Sequence, residues 1–198
     1  MRSLKNLKIT ESIQTEKLVY EESSYDKFDT ISIYFGSSAL AIASLLLLKK
    51  VDFSLSNSFE CAILISLFTF SIYVLYCKYT EKHLKEIKFE IPKEEAKSRI
   101  IEYGKKYHYR ISKISGNLIF LNEPTDLYSL GKDYEQTTIV FFKNNAILYT
   151  LIKEGSRSNF PVLISQHLTK RDFKKILHPD YIEPIKRTTY LNSFFHGL

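Results

Sequence analysis

Cysteine, glycine and ligand-spaced histidine are all scarce in this chain, and each scarcity excludes a class of chemistry. Six glycines in 198 residues leave no GxxxxGK[ST] and no GxGxxG, the backbone-lined loops that cradle nucleotide phosphates. A GxSxG elbow is missing as well, so no serine nucleophile announces itself. His83, His108, His167, His178 and His196 are scattered without HxxxH or HExxH spacing, whereas zinc needs three or four convergent ligands. The two cysteines, Cys61 and Cys77, stand sixteen positions apart in one apolar stretch. On a helix that is about 24 Å along the axis, too far for a disulfide. The rest of the chain has none, which suits a reducing compartment. No catalytic residue, cofactor site or metal site emerges, and the chain reads as a non-enzyme.

Charge is missing from two long runs. Ile31–Leu48 (ISIYFGSSALAIASLLLL) has no charged residue, and Phe59–Cys77 (FECAILISLFTFSIYVLYC) has only Glu60. Each matches the ~20 residues needed to cross a hydrocarbon core about 30 Å thick. Thirty mixed residues precede the first run, so it does not resemble a signal peptide. The expectation is a transmembrane hairpin over 31–78, made of spans 31–48 and 59–77. Residues 1–30 form an N-terminal segment, 79–180 a soluble domain and 181–198 a tail. Glu60 falls in the first turn of its helix, where the macrodipole favours an anion and water is within reach.

The remaining charge is basic, net +6. Lys17 and Lys27 flank the first run, and Lys78, Lys82, Lys85, Lys88, Lys93 and Lys97 flank the second, against Lys49 and Lys50 in the loop. Excess lysine marks the cytoplasmic side, so both termini are expected in the cytoplasm, with Lys49–Ser58 outside. The same topology accounts for the basic balance without nucleic acid, and no dense basic run or RNA-binding aromatic motif occurs. Tyr34, Tyr73, Tyr76 and Tyr79 fall at one end of the hairpin, as an interfacial belt would. Small residues gather in the first span: Gly36, Ser37, Ala39, Ala41 and Ala43. Small-xxx-small pairs let helix backbones approach closely. That face packs either against the second span or against a partner's helix, including a second copy of the chain.

Beyond the second run a Glu81–Lys85 pair at i,i+4 is expected if the helix continues into solvent. Periodicity then changes to two at Ile87, Phe89 and Ile91, predicting a strand. Pro92 opens a helix over Lys93–Tyr107 with Ala96, Ile100, Tyr103 and Tyr107 on one face. Tyr109–Ile114 and Leu118–Leu121 flank a Ser-Gly-Asn turn, and Leu127–Leu130 reads as a short edge strand. Gln136–Lys143 and Ala146–Lys153 flank Asn144-Asn145, a two-residue hairpin turn. Apolar residues on both faces of these two strands place them centrally in the sheet. Pro161–Ser165 reads as a further strand. Thr169, with Asp172 at N3, reads as the cap of a closing helix, whose apolar side is Phe173, Ile176 and Leu177. Lys170, Arg171, Lys174 and Lys175 form its opposite side, with Lys186 and Arg187 nearby in the tail. This basic face suits an anionic membrane surface or an acidic partner. The tail's apolar patch (Tyr190, Leu191, Phe194, Phe195) docks on the domain or lies on the membrane. The fold class is therefore α+β: a two-helix hairpin, then an antiparallel sheet with two helices.

Two spans, strands, and then FPVLISQHLTKRDFKKIL resemble small two-span bacterial membrane proteins, some of which carry a cytosolic PH-like domain. That resemblance implies a curved antiparallel sheet closed by a C-terminal helix. It carries over no functional residue. A binding module at the inner leaflet is the favoured function, and an accessory or immunity-type protein acting through its hairpin is the alternative.

Overall fold

The computed structural model describes residues 4, 6–51, 57–123, 135–154 and 160–181. It is an α+β protein in which two long apolar helices precede, along the chain, a five-stranded antiparallel sheet with further helices. Leu127–Leu130, Lys186, Arg187, the tail patch and most of the loop between the long helices lie outside the described residues.

Helix α1 covers Ile9–Thr15, and the long helices are α2, Ser24–Leu48, and α3, Ser58–Thr80. Both long helices are long and apolar enough to cross a membrane. Helix α2 starts seven residues before the charge-free run because Ser23 and Asp26 form a capping box. The Asp26 N–H donates to Ser23 Oγ at 3.2 Å and the Ser23 N–H to Asp26 Oδ2 at 3.0 Å. Two orphan donors of the first turn are thereby satisfied. The helices pack through Ala41, Ser44, Cys61, Leu64, Ser71 and Val74, while Phe35, Ile42, Leu46, Phe59, Ile65 and Phe70 face outward. Outward apolar side chains over the full helix length suit an apolar surrounding. Four hydroxyls suit such a surrounding too: Ser44, Ser66, Thr69 and Ser71 each donate to the carbonyl four residues back, so these donors need no water.

Strand β1 is Lys85–Lys88, followed by α4, Lys93–Lys106, with Pro92 as its N-cap. Strands β2 (Arg110–Ser115), β3 (Leu118–Asn122), β4 (Glu135–Phe142) and β5 (Ala146–Glu154) form a meander. Strand β1 then pairs with β5, giving the order β1-β5-β4-β3-β2. The β4–β5 turn closes at Asn144-Asn145, where the Lys143 N–H donates to Ala146 O at 2.8 Å. Thr138 pairs with Leu151 and Val140 with Tyr149. As expected, these two strands lie inside the sheet, between β1 and β3.

Both faces of the sheet are covered. On one, Val140, Phe142, Ile147, Tyr149 and Leu151 meet α4 and α5, the latter Ser165–Ile176. Phe173 is the pivot, with the Tyr149 ring at 5.3 Å and the Tyr103 ring at 5.6 Å, both edge-on. On the other face, Leu118, Phe120, Ile139, Phe141 and Leu148 meet Leu4, Leu7, Ile9, Ile13 and Leu18. The segment before the first long helix is thus a layer over the sheet. It is tied there by Leu18 N–H to Lys82 O at 2.7 Å and Leu84 N–H to Glu16 O at 2.8 Å. Those bonds also hold the N-terminal segment and the sheet at the same end of the hairpin.

Three local expectations change. Phe160–Leu163 has no strand pairing; Pro161 lacks an N–H for a ladder, and Val162 is buried in the core as a plug. Helix α5 begins at Ser165 rather than after Thr169. Thr169 and Asp172 sit inside the helix, buried, and Asp172 Oδ2 accepts from the Tyr103 hydroxyl at 3.1 Å, so its carboxylate serves the core and not a cap. Glu81 does not pair with Lys85: the chain has left the helix by then, and Glu81 takes Lys78 instead.

Candidate functional site

The basic face is present as a surface. Lys170, Arg171, Lys174 and Lys175 are all exposed on α5, because Asp172, Phe173, Ile176 and Leu177 take the core side. A second helix fixes the far end of α5. Arg99 of α4 donates to Ile176 O at 2.9 Å and His178 O at 2.7 Å, satisfying carbonyls that a helix C-terminus leaves open. The near end of α5 is tied to the hairpin and to the sheet. Tyr73 Oη of α3 donates to Leu163 O, just before α5, at 2.8 Å, and Lys85 Nζ of β1 donates to Gln166 Oε1. Burial, with the Lys170 charge nearby, holds the Lys85 ammonium below the usual lysine range.

Below this face lies the junction between α3 and the sheet. Lys78 Nζ and Glu81 Oε2 are 2.9 Å apart, with side chains 3 % and 1 % exposed. The Glu81 carbonyl accepts from Thr150 Oγ1 of β5 at 2.7 Å. One turn on, Lys82 pairs with Glu22 and lies over the Tyr20 ring at 5.8 Å. The hairpin therefore enters the domain through charged and hydroxyl contacts on both of its strands of chain. Sequence reading missed these contacts and counted Lys78 only as a flanking charge.

The small residues of α2 do not form one face. Ser37 is half-buried and Ala41 buried on the side of α3, whereas Gly36, Ala39 and Ala43 are exposed on the other side. A Cβ at Gly36 would meet nothing within 4 Å. Of the tyrosines, Tyr76 and Tyr79 are exposed as a belt requires. Tyr73 is instead spent on Leu163, and Tyr34 is half-buried.

Among the described residues no three His, Cys, Asp or Glu side chains converge as metal ligands. An open groove of about 720 Å³ near the β4–β5 turn is lined by Lys88, Lys93, Lys143, Glu86 and Asn144; its polar groups are of both signs and mostly exposed. No protein-family model matches the chain, and no curated protein or solved structure is similar to it. The PH-like resemblance accordingly stays with the order of elements.

Proposed function

We propose that this protein crosses the cytoplasmic membrane twice, with both termini inside, and serves as a non-enzymatic binding module at the inner leaflet. Its working surface is the basic face of α5, supplemented by Lys186 and Arg187 of the tail. The observation that carries this reading is the tie between that helix and the hairpin. Tyr73 of α3 bonds the carbonyl two residues before α5 begins, so the four cations are held close to the bilayer. Each basic side chain near an anionic leaflet contributes on the order of 1 kcal/mol, and the attraction fades beyond a Debye length.

The test uses full-length protein in liposomes with and without anionic lipid. Amide exchange along α5 slows when anionic lipid is present, the protection falls as salt rises, and replacing Lys170, Arg171, Lys174 and Lys175 by Gln removes it. Equal exchange in neutral and anionic bilayers refutes the lipid surface. If an acidic protein partner also co-purifies undiminished with the quadruple variant, the face has no binding role.

A second reading has its own observation. Gly36, Ala39 and Ala43 face away from α3 and leave room for another helix. In that reading the protein is an accessory or immunity-type protein whose hairpin packs on another membrane protein or on a second copy. Ala39→Leu with Ala43→Leu then abolishes co-purification from native membrane while leaving domain stability unchanged; retained co-purification refutes it.

A further inference from the structure

We infer that Phe160–Leu168 is a third membrane contact, in which Ile164 inserts into the bilayer beside α3 and docks the domain against the leaflet. The inference rests on the reading that the hairpin spans a bilayer, and it names the lipid that covers one exposed residue. Ile164 is 67 % exposed, whereas Pro161 and Val162 of the same segment are buried. A large aliphatic side chain exposed at the tip of such a plug gains free energy from an apolar neighbour.

The depth of that tip follows from Tyr73. Fourteen residues separate Tyr73 from Phe59, about 21 Å of helix at 1.5 Å per residue. With Phe59 at the outer edge of hydrocarbon about 30 Å thick, the Tyr73 backbone lies roughly 9 Å inside the inner edge. Leu163, bonded to the Tyr73 hydroxyl, is therefore held about 9 Å below the inner headgroup boundary, within the depth of about 5–10 Å that an interfacial apolar face reaches. Backbone polar groups at that depth are costly unless satisfied internally, and two of the segment's carbonyls are. Leu163 O accepts from Tyr73 Oη at 2.8 Å, Ile164 O accepts from the His167 N–H at 3.0 Å, and Pro161 has no N–H to satisfy. Lys170 and Arg171 follow within two turns, both exposed. An apolar tip with basic residues just behind it is the arrangement of an interfacial segment, which pairs insertion with attraction to anionic headgroups.

The experiment places a single environment-sensitive label by cysteine substitution at Ile164, Tyr76 or Asn144 in full-length protein with Cys61→Ala and Cys77→Ala. Tyr76 is exposed on α3, and Asn144 lies at the end of the sheet remote from Glu81. In liposomes carrying an acyl-chain quencher, Ile164 is expected to be quenched within about twofold of Tyr76 and several-fold more than Asn144. Quenching at Ile164 no greater than at Asn144, with Tyr76 quenched, overturns the inference and leaves the two-span reading standing. If Tyr76 also escapes, the two-span reading fails as well. A label at Ile164 shielded from both the lipid quencher and aqueous iodide means that protein covers the site, which likewise overturns the inference. Tyr73→Phe, which removes the tether and keeps the ring, should reduce quenching at Ile164 without altering it at Tyr76. Unchanged quenching at Ile164 in that variant refutes the tether.

Discussion

Removing one member of the Lys78–Glu81 pair should unseat the domain from the hairpin. Both side chains are almost fully buried, with their charged atoms 2.9 Å apart. An ion pair so placed gives little net stability, because desolvating two charges offsets their attraction. Removing one partner is different, since the other charge stays behind in a site that water does not reach. The cost is about 3–5 kcal/mol, a large share of the ~5–15 kcal/mol by which a domain is stable. Glu81→Gln and Lys78→Met should each lose that amount, read by denaturant titration of detergent-solubilised protein with near-ultraviolet dichroism of the domain tyrosines. The double variant Lys78→Met, Glu81→Leu should recover most of it, because an apolar pair of similar volume leaves no charge unpaired. The cycle then gives a coupling energy of several kcal/mol. Additive single losses, or single losses below about 1 kcal/mol, would refute the argument that this pair is desolvated; the latter is typical of exposed pairs.

Three further outcomes are expected. Phe173→Ala should cost about 3–5 kcal/mol, because its ring is buried between Tyr103 and Tyr149; a loss under 1 kcal/mol in the same titration refutes its place at the centre of the core. Gly104→Ala gains about 1 kcal/mol of helix propensity, but its Cβ would sit 2.9 Å from Leu121 Cδ2 and 3.0 Å from Ile111 Cδ1, and overpacking costs about 1–3 kcal/mol. The net result is a loss, and a gain of stability refutes the close approach of α4 to β2 and β3. Lys85 is held below its ordinary value by burial, then by Lys170, so between its folded value and about 10.4 the unfolded chain binds more protons and stability rises with pH. The difference between wild type and Lys85→Met should therefore shift in favour of wild type as pH rises through that window. Lys170→Gln should flatten the trend, and a pH-independent difference refutes it.

What the sequence disclosed and what it withheld divide along a physical line. The β4–β5 hairpin, the α4 face of Ala96, Ile100 and Tyr103, and the apolar side of α5 were legible because each is local: period two, period 3.6 and turn chemistry act within a few residues. The apolar runs of α2 and α3 were legible for the same reason. The N-terminal layer was not, since Leu4, Leu7, Ile9, Ile13 and Leu18 keep no single period and acquire meaning only against the far face of the sheet. PVLIS was misread because so short an apolar run fits a strand, a plug or a buried helix equally well. Ser23-x-x-Asp26 did carry a readable signal, a capping box that sets the start of α2 ahead of the apolar run.

The candidate surface follows the same division, and its functional weight comes from the part that was not local. Four cations on one face of α5 could be counted from the sequence, yet a solvated amphipathic helix shows the same count. The difference is made by Tyr73, which pairs with a carbonyl ninety positions away, and by Lys85, which reaches from β1 to Gln166 in the first turn of α5. Neither contact has a spacing rule, because each depends on where the sheet sets α5 relative to α3. Thr150, donating to Glu81 O from the second-face side of β5, fixes that placement from the other flank. The hairpin and the domain thus share contacts of different chemistry, the Tyr73 phenol and the Thr150 hydroxyl, while the Lys85 ammonium ties β1 to α5 beside them. A domain hanging from a flexible linker would need none of them. Their presence argues that the position of α5 relative to the hairpin is built into the fold, which is what the proposed contact of its basic face with a leaflet requires.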